Sequence, residues 1–420
     1  MANQQENTGV ADNGFRHNLP SRHRVARIWQ TVFQASTIIG IIALTALLYN
    51  IVNQSFGLVA IQNKADPRTL AVDGLPLDKL EKEQLVDILQ KNVSKGLFRR
   101  LESDQPFATR SREDVYALVI ERVVEPEVVQ TWPLFDSVFD RPAVLAEAAE
   151  KYPGAEIQFV SWIDPEFITT PQSADPENAG VRTAILGSLW TILITILFAF
   201  PLGIGAAIYL EEYASDNFVN RIIRTNINNL AGVPSIIYGM LGLAILVRAL
   251  EPLTSGRLLG LVDPTTANGR TIMSAGLTLG LLVLPLIIIN AQEAIRAVPG
   301  SLRQASYGLG ATQWQTIWHH VLPDALPGIL TGTILAVSRA IGETAPLVVV
   351  GASTFITVDP SGPFSKFTTL PIQIYQWTSR PQAEFRNIAA AAIIVLLALL
   401  LILNATAVLF RNRQSRRLSL

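Results

Sequence analysis

Cysteine is absent from all 420 residues of the sequence, and charged residues make up only 16% of it. The first absence excludes disulfides, thiol catalysis and thiolate metal ligands, and it leaves the redox compartment undecided. The second contrasts with about 25% in an ordinary soluble protein. Because 49% of the residues are hydrophobic, the composition predicts that lipid surrounds much of the chain. A formal net charge of −1 provides no basic field, so we expect no nucleic-acid partner.

Catalytic signatures are missing as well. The sequence has no Gly-x-x-x-x-Gly-Lys-Ser/Thr stretch that could cradle nucleotide phosphates, no His-Glu-x-x-His and no Gly-x-Ser-x-Gly. Its four histidines are His17, His23, His319 and His320. The last two are adjacent, and sequence neighbours do not share a helix face, so a solvated or interface role is favoured over a metal site. We therefore expect no catalytic residue, no metal site and no cofactor bound by this chain.

Six apolar stretches are long enough to cross a bilayer, which takes about 20 residues. They are residues 32–52, 184–210, 230–250, 275–291, 327–350 and 388–410. The first exceeds the apolar core of about 7–15 residues in a signal peptide and has no cleavage site, so we interpret it as an uncleaved span. Pro234 and Pro285 interrupt the third and fourth stretches, which leaves five spans as the alternative count. The predicted fold class is an all-α polytopic membrane protein with about six transmembrane helices.

Basic residues on the two tails predict the orientation in the membrane. Four arginines precede the first span and four follow the last: Arg16, Arg22, Arg24, Arg27, Arg411, Arg413, Arg416 and Arg417. The positive-inside rule assigns both tails, residues 1–31 and 411–420, to the cytoplasm. Residues 53–181, between spans one and two, are then a soluble extracytoplasmic insert, and residues 182–410 hold the other five helices.

The 53–181 segment is polar, yet apolar residues recur throughout it, which predicts a small folded domain. Helical spacing predicts helices over 77–101, 114–129 and 141–152, and alternation predicts a strand over 156–161. The segment contains no metal, nucleotide or protease signature. Its role stays open at this stage.

The 293–326 segment, between spans four and five, contains two capping-box patterns. Residues 301–304 start one short helix, which ends before Gly310, and residues 312–315 start a second, predicted to end near 322–323. The second helix carries an apolar stripe at positions i, i+3, i+4 and i+7, formed by Trp314, Ile317, Trp318 and Val321. Such a stripe fits either packing on the chain's own helix ends or contact with a groove of another protein.

The same segment resembles the EAA loop of ABC importer permeases, whose pattern is Glu-Ala-Ala, three residues, Gly, nine residues, Ile, one residue, Leu-Pro. The matching positions are Gln304, Ala305, Ser306, Gly310, Leu322 and Pro323. The spacing agrees throughout, but Gln304 replaces Glu, Ser306 replaces the second Ala, and His320 stands where Ile is expected. The resemblance implies that this loop docks on a separate ATPase subunit, with Trp314 and Ile317 on the coupling surface.

Further stretches are similar to phosphate-importer permeases of the PstA type. They are residues 188–191, 209–213, 232–239, 322–332 and 338–346, and the likeness extends over 181–411. The resemblance implies a permease subunit, not an enzyme, that forms part of the pathway for inorganic phosphate across the bacterial plasma (inner) membrane. As partners it implies a second permease chain, two ATPase subunits that use ATP and Mg²⁺, and a soluble phosphate-binding protein.

Two charged residues, Arg339 and Glu343, lie inside the fifth predicted span. A charge in mid-membrane costs about 2.5–3.5 kcal/mol on insertion scales, so it is retained for pairing or for a pathway. A guanidinium offers a planar fork suited to bidentate contact with phosphate. We interpret the two residues as substrate-pathway residues, with a structural ion pair as the alternative.

Three other functions remain compatible with the sequence. The chain fits an ABC permease for another oxyanion, such as sulfate or molybdate. It also fits a membrane receptor whose 53–181 insert binds a ligand and whose loops only signal. An ion-coupled secondary transporter is the third alternative, and it would need no ATPase.

Overall fold

The structure is a computed structural model, and it describes residues 19–72, 74–261, 269–353 and 355–418. The described chain forms two compact units, one that ends at Ile51 and one that begins at Val52. The first unit is the body of a single helix, α1 (Leu19–Ser55), whose apolar side chains are exposed. A helix that is apolar and exposed suits lipid surroundings, in agreement with the first predicted span. Arg16 lies outside the described residues, as do the side chains of Arg416 and Arg417.

An antiparallel three-stranded sheet lies at the centre of the 53–181 segment. Its strands are β1 (Phe56–Asn63), β2 (Pro126–Pro133) and β3 (Glu156–Ser161), in the order β2-β1-β3. The central strand is buried on both faces, at Leu58, Val59 and Ala60. The prediction of β3 is confirmed. β1 was not predicted, since its alternation is weak: Leu58, Val59, Ala60 and Ile61 are consecutive apolar residues.

The described part of the segment also contains short helices: α2 (Lys82–Asn92), α3 (Lys95–Asp104), α4 (Arg112–Val119), α5 (Leu134–Phe139), α6 (Arg141–Lys151) and α7 (Pro165–Thr169). The predicted helix over 141–152 is confirmed as α6. The single helix predicted over 77–101 is wrong, because Ser94 caps a new helix by accepting a hydrogen bond from the Leu97 N–H at 3.3 Å. The helix predicted over 114–129 is wrong beyond Val124, because Glu125 is left-handed (φ 43°) and a strand begins at the following proline.

The described residues from 182 onward are almost entirely helical. The helices are α8 (Arg182–Ile208), α9 (Phe218–Ala231), α10 (Ser235–Leu241), α11 (Glu251–Thr254), α12 (Ile272–Ala297), α13 (Gly300–Gly308), α14 (Gln313–Thr316), α15 (Leu322–Ile341), α16 (Ala345–Val350), α17 (Leu370–Thr378) and α18 (Ala383–Leu418). π-Helical turns occur at Ile120–Val124, Tyr209–Tyr213, Gly242–Ala249 and Ile317–Val321. Short 3₁₀ turns occur at Pro67–Leu70, Leu77–Lys79, Phe107–Thr109, Pro176–Asn178 and Arg257–Leu259.

Five helices of the described chain are long and apolar enough to cross a membrane: Ser21–Ser55, Arg182–Tyr213, Ile272–Ala297, Gln313–Ile341 and Ala383–Arg413. The pair Phe218–Ala231 and Ser235–Ala249 is bent by 108° and makes a sixth only if it counts as one span. The stretch predicted as the third span, 230–250, is therefore not one continuous helix, and both the six-span count and the five-span alternative stay predictions. Pro234 explains the break, because it lacks an N–H and disfavours helical backbone in the residue before it.

The fifth predicted span, 327–350, is wrong at both ends. The helix is continuous from Gln313 and stops at Ile341, and the short helix α16 follows after a break. Pro323 does not end the helix that starts at Gln313, because the π-helical turn before it winds more widely and accommodates a residue without an N–H. Pro285, in contrast, lies within a continuous α12.

α12 is the central helix of this part of the chain and packs against α8 and α15. Glycines allow the close approach. A Cβ on Gly332 of α15 would lie 2.3 Å from the Cβ of Asn290, and Gly276 of α12 packs against Ile194 of α8. Thr195 of α8 donates a hydrogen bond to the Gly276 carbonyl at 3.0 Å, so a polar contact accompanies the apolar packing. This packing fixes α15, which carries Arg339 and the last residues of the 293–326 segment.

Candidate functional site

Two short helices and a glycine turn form the centre of the 293–326 segment. α13 ends at Gly308, and Gly310 adopts a left-handed conformation (φ 82°) before α14 begins. The Thr312 hydroxyl accepts a hydrogen bond from the Gln315 N–H at 3.3 Å, and the Gln315 side chain accepts one from the Thr312 N–H at 2.9 Å. The predicted second capping box and the predicted turn at Gly310 are thus confirmed.

The first predicted capping box is wrong. α13 begins at Gly300, with Pro299 at its N-cap position and no side-chain cap. Ser301 therefore lies inside the first turn rather than before it. The sequence pattern placed the N-cap two residues too late, at Ser301 instead of Pro299.

Ser306, which departs from the EAA pattern, has a defined structural role. Its hydroxyl lies 2.8 Å from the hydroxyl of Thr316, and both residues are buried. This hydrogen bond joins α13 to α14 across the turn. Gln304 and Ala305, in contrast, are exposed, and Leu322 and Pro323 are partly buried.

The apolar stripe on the second helix divides into two pairs. Ile317 and Val321 are buried, with Val321 in a cluster that includes residues of α12 and α15. Trp314 and Trp318 are more than half exposed, and their rings stack with centroids 5.4 Å apart. Packing on the chain's own helices is therefore confirmed for Ile317 and Val321, and contact with another protein stays a prediction for Trp314 and Trp318. The stacked tryptophans form an exposed aromatic surface one turn away from a buried anchor.

Two carboxylates at the end of α8 hold the 293–326 segment in place. Glu212 is 7% exposed and accepts two hydrogen bonds from Arg303 of α13, from Nη2 at 2.7 Å and from Nε at 3.1 Å. Arg303 also donates to the carbonyl oxygens of Val298 and Ile295, at 2.8 and 2.9 Å. All three nitrogens of this guanidinium therefore donate hydrogen bonds, and the Arg303 side chain is only 20% exposed.

Glu211 makes a second, more exposed set of contacts with α12 and α9. Its carboxylate lies 2.8 Å from Arg296 Nη2, 3.0 Å from Gln292 Nε2 and 3.7 Å from Arg224 Nη1. Sequence reasoning assigned no role to either carboxylate. The available signal was a pair of acidic residues directly after an apolar span, within the stretch 209–213.

Arg339 and Glu343 pair with each other at the end of α15. Arg339 Nε donates to Glu343 Oε1 at 3.3 Å. Arg339 is 51% exposed and Glu343 is 18% exposed. Within the described residues the two Nη groups of Arg339 donate to no protein atom. The sequence offered a structural ion pair as the alternative to a pathway role, and in the structure the two residues pair with each other across the end of the helix at Ile341.

Polar contacts also join α15 to α18, next to Arg339. The Ser338 hydroxyl lies 2.6 Å from Asn404 Oδ1 and 2.7 Å from its own helix at the Ile334 carbonyl. Arg411 Nη1 donates to the Thr331 hydroxyl at 3.1 Å. The two contacts are seven residues apart on each helix and in opposite order, as expected for antiparallel neighbours. They fix the register of α15 against α18 at the position just before Arg339.

Metal coordination finds no support in the described part of the chain, where no three His, Cys, Asp or Glu side chains could hold one ion together. His319 places its Nδ1 3.0 Å from the carbonyl of Gln315, on its own helix.

Residues 199–418 match the family of binding-protein-dependent transport system inner membrane components. The chain is 35% identical to a probable ABC transporter permease protein of Bacillus subtilis, YqgI, over 52% of this chain and 69% of that protein. It is also 35% identical to the phosphate transport system permease protein PstA of Mycobacterium leprae, over 57% of this chain and 73% of that protein. Among solved structures it is similar to a chain of a bacterial alginate ABC transporter, at 18% identity and a TM-score of 0.43, over 76% of this chain and 98% of that chain.

Proposed function

The chain belongs to the binding-protein-dependent transport system inner membrane components, and from that premise we propose that it forms part of the pathway for inorganic phosphate in an ABC importer. It is a multi-pass permease component of the inner membrane, and a transport subunit rather than an enzyme. The identity of the transported anion is the part that goes beyond family membership.

The half-exposed guanidinium of Arg339 carries the proposal. One of its nitrogens is engaged by Glu343, and the two Nη groups donate to no described protein atom. They present the edge of the guanidinium that binds an oxyanion through two parallel hydrogen bonds. Glu343 orients the group from the other side and keeps its charge paired while no anion is bound. The name of the PstA relative supports phosphate as the anion.

Coupling to ATP hydrolysis is assigned to the 293–326 segment. The exposed rings of Trp314 and Trp318 suit a groove on another protein, because large aromatic side chains supply much apolar contact area. Gln304, Ala305 and Gly310 lie on the same exposed segment, while Ser306, Ile317, Leu322 and Pro323 hold it to the rest of the chain. The proposed partners are a second permease chain, two ATPase subunits that use ATP and Mg²⁺, and a soluble phosphate-binding protein.

Orientation follows from the basic tails, with both termini in the cytoplasm and residues 53–181 outside. Epitope tags at Asn3 and at Gly154, which lies in an exposed turn, test this in intact cells. We expect protease to remove the tag at Gly154 without permeabilisation and to spare the tag at Asn3. The reverse pattern would overturn the orientation.

ATP-dependent uptake by the full set of subunits in vesicles tests the substrate. We expect phosphate uptake that persists in an excess of sulfate or molybdate and that requires the ATPase subunits. Full competition by sulfate or molybdate would assign the chain to another oxyanion. Uptake without the ATPase would indicate a secondary transporter, and ligand binding without any uptake would indicate a receptor.

A further inference from the structure

Helix α5 begins at the end of the sheet where β1 starts and β2 finishes. β1 starts at Phe56, directly after α1 ends at Ser55. β2 runs antiparallel to it, and Gly57 near the start of β1 pairs with Pro133 at the end of β2. Because α5 follows Pro133 immediately, its first residues lie level with the first residues of β1.

A hydrogen bond fixes the start of α5 more closely still. The Phe135 N–H donates to Asn53 Oδ1 at 2.7 Å. Asn53 is the first residue after the apolar run 32–52, so it marks the boundary between the hydrocarbon and the water. The strand register and this hydrogen bond thus both place the start of α5 beside the residues that directly follow the apolar run.

The outer face of α5 is apolar. Ser137 is buried against the sheet, where its hydroxyl accepts a hydrogen bond from the Leu58 N–H at 2.8 Å. Phe135, Val138 and Phe139 share the opposite side at positions i, i+3 and i+4. Val138 is 57% exposed and Phe139 is 73% exposed, and the rings of the two phenylalanines are 4.3 Å apart. Asp136, between the two faces, is exposed.

We propose that this apolar face of α5, formed by Phe135, Val138 and Phe139, inserts into the surface of the bilayer and anchors the 53–181 domain to it. Lipid is the occupant because α5 starts beside Asn53, the first residue after the apolar run 32–52. An amphipathic segment at that level lowers its free energy by burying its apolar side among the acyl chains and leaving its acidic side in water. The anchor holds the domain against the membrane independently of which solute the permease carries.

Fluorescent labelling tests the anchor directly, because the absence of cysteine allows single labels without other changes to the chain. We would place one cysteine at a time, as Phe139→Cys, Val138→Cys and Asp136→Cys, and attach an environment-sensitive fluorophore. The full chain would be reconstituted into vesicles of phosphatidylcholine and phosphatidylglycerol. Asp136→Cys is the matched control, since it lies on the same helix at a position that faces water.

We expect labels at 138 and 139 to emit at shorter wavelength than the label at 136, and to be quenched several-fold more by doxyl-labelled lipid. The label at 136 should be quenched more by aqueous iodide. Equal quenching of all three labels by iodide, without an effect of doxyl lipid, would overturn the proposal. Shielding of 138 and 139 that appears only after other subunits are added would also overturn it, because a protein would then cover the face. Val138→Cys provides the test if Phe139→Cys does not fold.

Discussion

Two acid–base pairs of the described residues from 182 onward have very different surroundings. One joins Glu212, just after α8, to Arg303 of α13, and the other joins Arg339 to Glu343 at the end of α15. In the first pair the arginine is 20% exposed and donates to a carboxylate and to two carbonyl oxygens. In the second pair the arginine is 51% exposed and is held by one hydrogen bond at 3.3 Å.

We infer from this difference that the Glu212–Arg303 pair stabilises the fold, while the Arg339–Glu343 pair is available to the transported anion. A largely buried guanidinium whose three nitrogens all donate to protein oxygens offers little to a ligand, so it serves to hold α13 to α8. A half-exposed guanidinium with two unengaged nitrogens adds little to folding, because an accessible ion pair is worth about 0–1 kcal/mol. It can, however, bind an anion without first breaking protein contacts. We therefore expect substitutions in the two pairs to fail in different ways.

Removal of the buried carboxylate should have the largest effect. Glu212→Ala leaves the buried Arg303 without its counter-charge, which costs about 3–5 kcal/mol. We expect little folded chain in membranes and a lower midpoint of thermal unfolding after purification in detergent. Asp216→Ala is the matched control, since its ion pair with Arg221 is largely exposed, and it should match the wild type. A wild-type amount of stable Glu212→Ala chain would remove the stabilising role from this pair.

Substitution of Arg339 should abolish uptake without loss of the chain. Arg339→Ala removes the proposed anion contact but leaves a half-exposed site, so assembly should continue. Glu343→Gln keeps a hydrogen-bond acceptor at the same place and should retain partial uptake. Phosphate uptake into vesicles, normalised to the amount of assembled chain, measures both. Uptake at the wild-type rate by Arg339→Ala would contradict both the pathway and the pairing accounts.

A substitution at Gly310 tests whether the turn between α13 and α14 couples ATP hydrolysis to uptake. A Cβ at this position would meet no atom within 4 Å, so the cost of Gly310→Val is conformational strain from the positive φ, about 1–2 kcal/mol. We expect the chain to assemble, while the turn shifts and ATP hydrolysis no longer drives uptake. Gly308→Val is the control, because that site is equally open and has no positive φ. Equal uptake by the two variants would count against a coupling role for the turn.

The smallest effect is expected at the contact between α15 and α18. Asn404→Leu removes one interhelical hydrogen bond, worth about 1 kcal/mol in a membrane. Ser338 retains its bond to the Ile334 carbonyl, so no polar group is left unpaired. We expect a higher half-saturating phosphate concentration at an unchanged amount of chain, because the register of Arg339 is less well fixed. Thr406→Val, which affects a hydroxyl bonded only within its own helix, should leave this concentration unchanged.

Local chemistry allowed several features to be predicted from the sequence. The long apolar runs, the cap at Thr312 and the turn at Gly310 each depend on residues within a few positions of one another. The pairing of Glu212 with Arg303 spans 91 residues and depends on how α8 and α13 pack, so no local pattern predicts it. The bend of 108° at Pro234 also could not be predicted, since a proline predicts a break in a helix but not the angle of that break. The sheet of the 53–181 segment was missed because its strands pair residues as far apart in sequence as Gly57 and Pro133.

Uptake by Arg339→Lys, measured beside the wild type at equal amounts of assembled chain, tests the central claim most directly. Lysine keeps the positive charge but lacks the planar fork of donors. If the unengaged nitrogens of Arg339 bind the anion, the lysine chain assembles normally and loses most of its ATP-dependent phosphate uptake. Wild-type uptake by the lysine chain would show that charge alone suffices and would contradict the assignment of this guanidinium to the pathway.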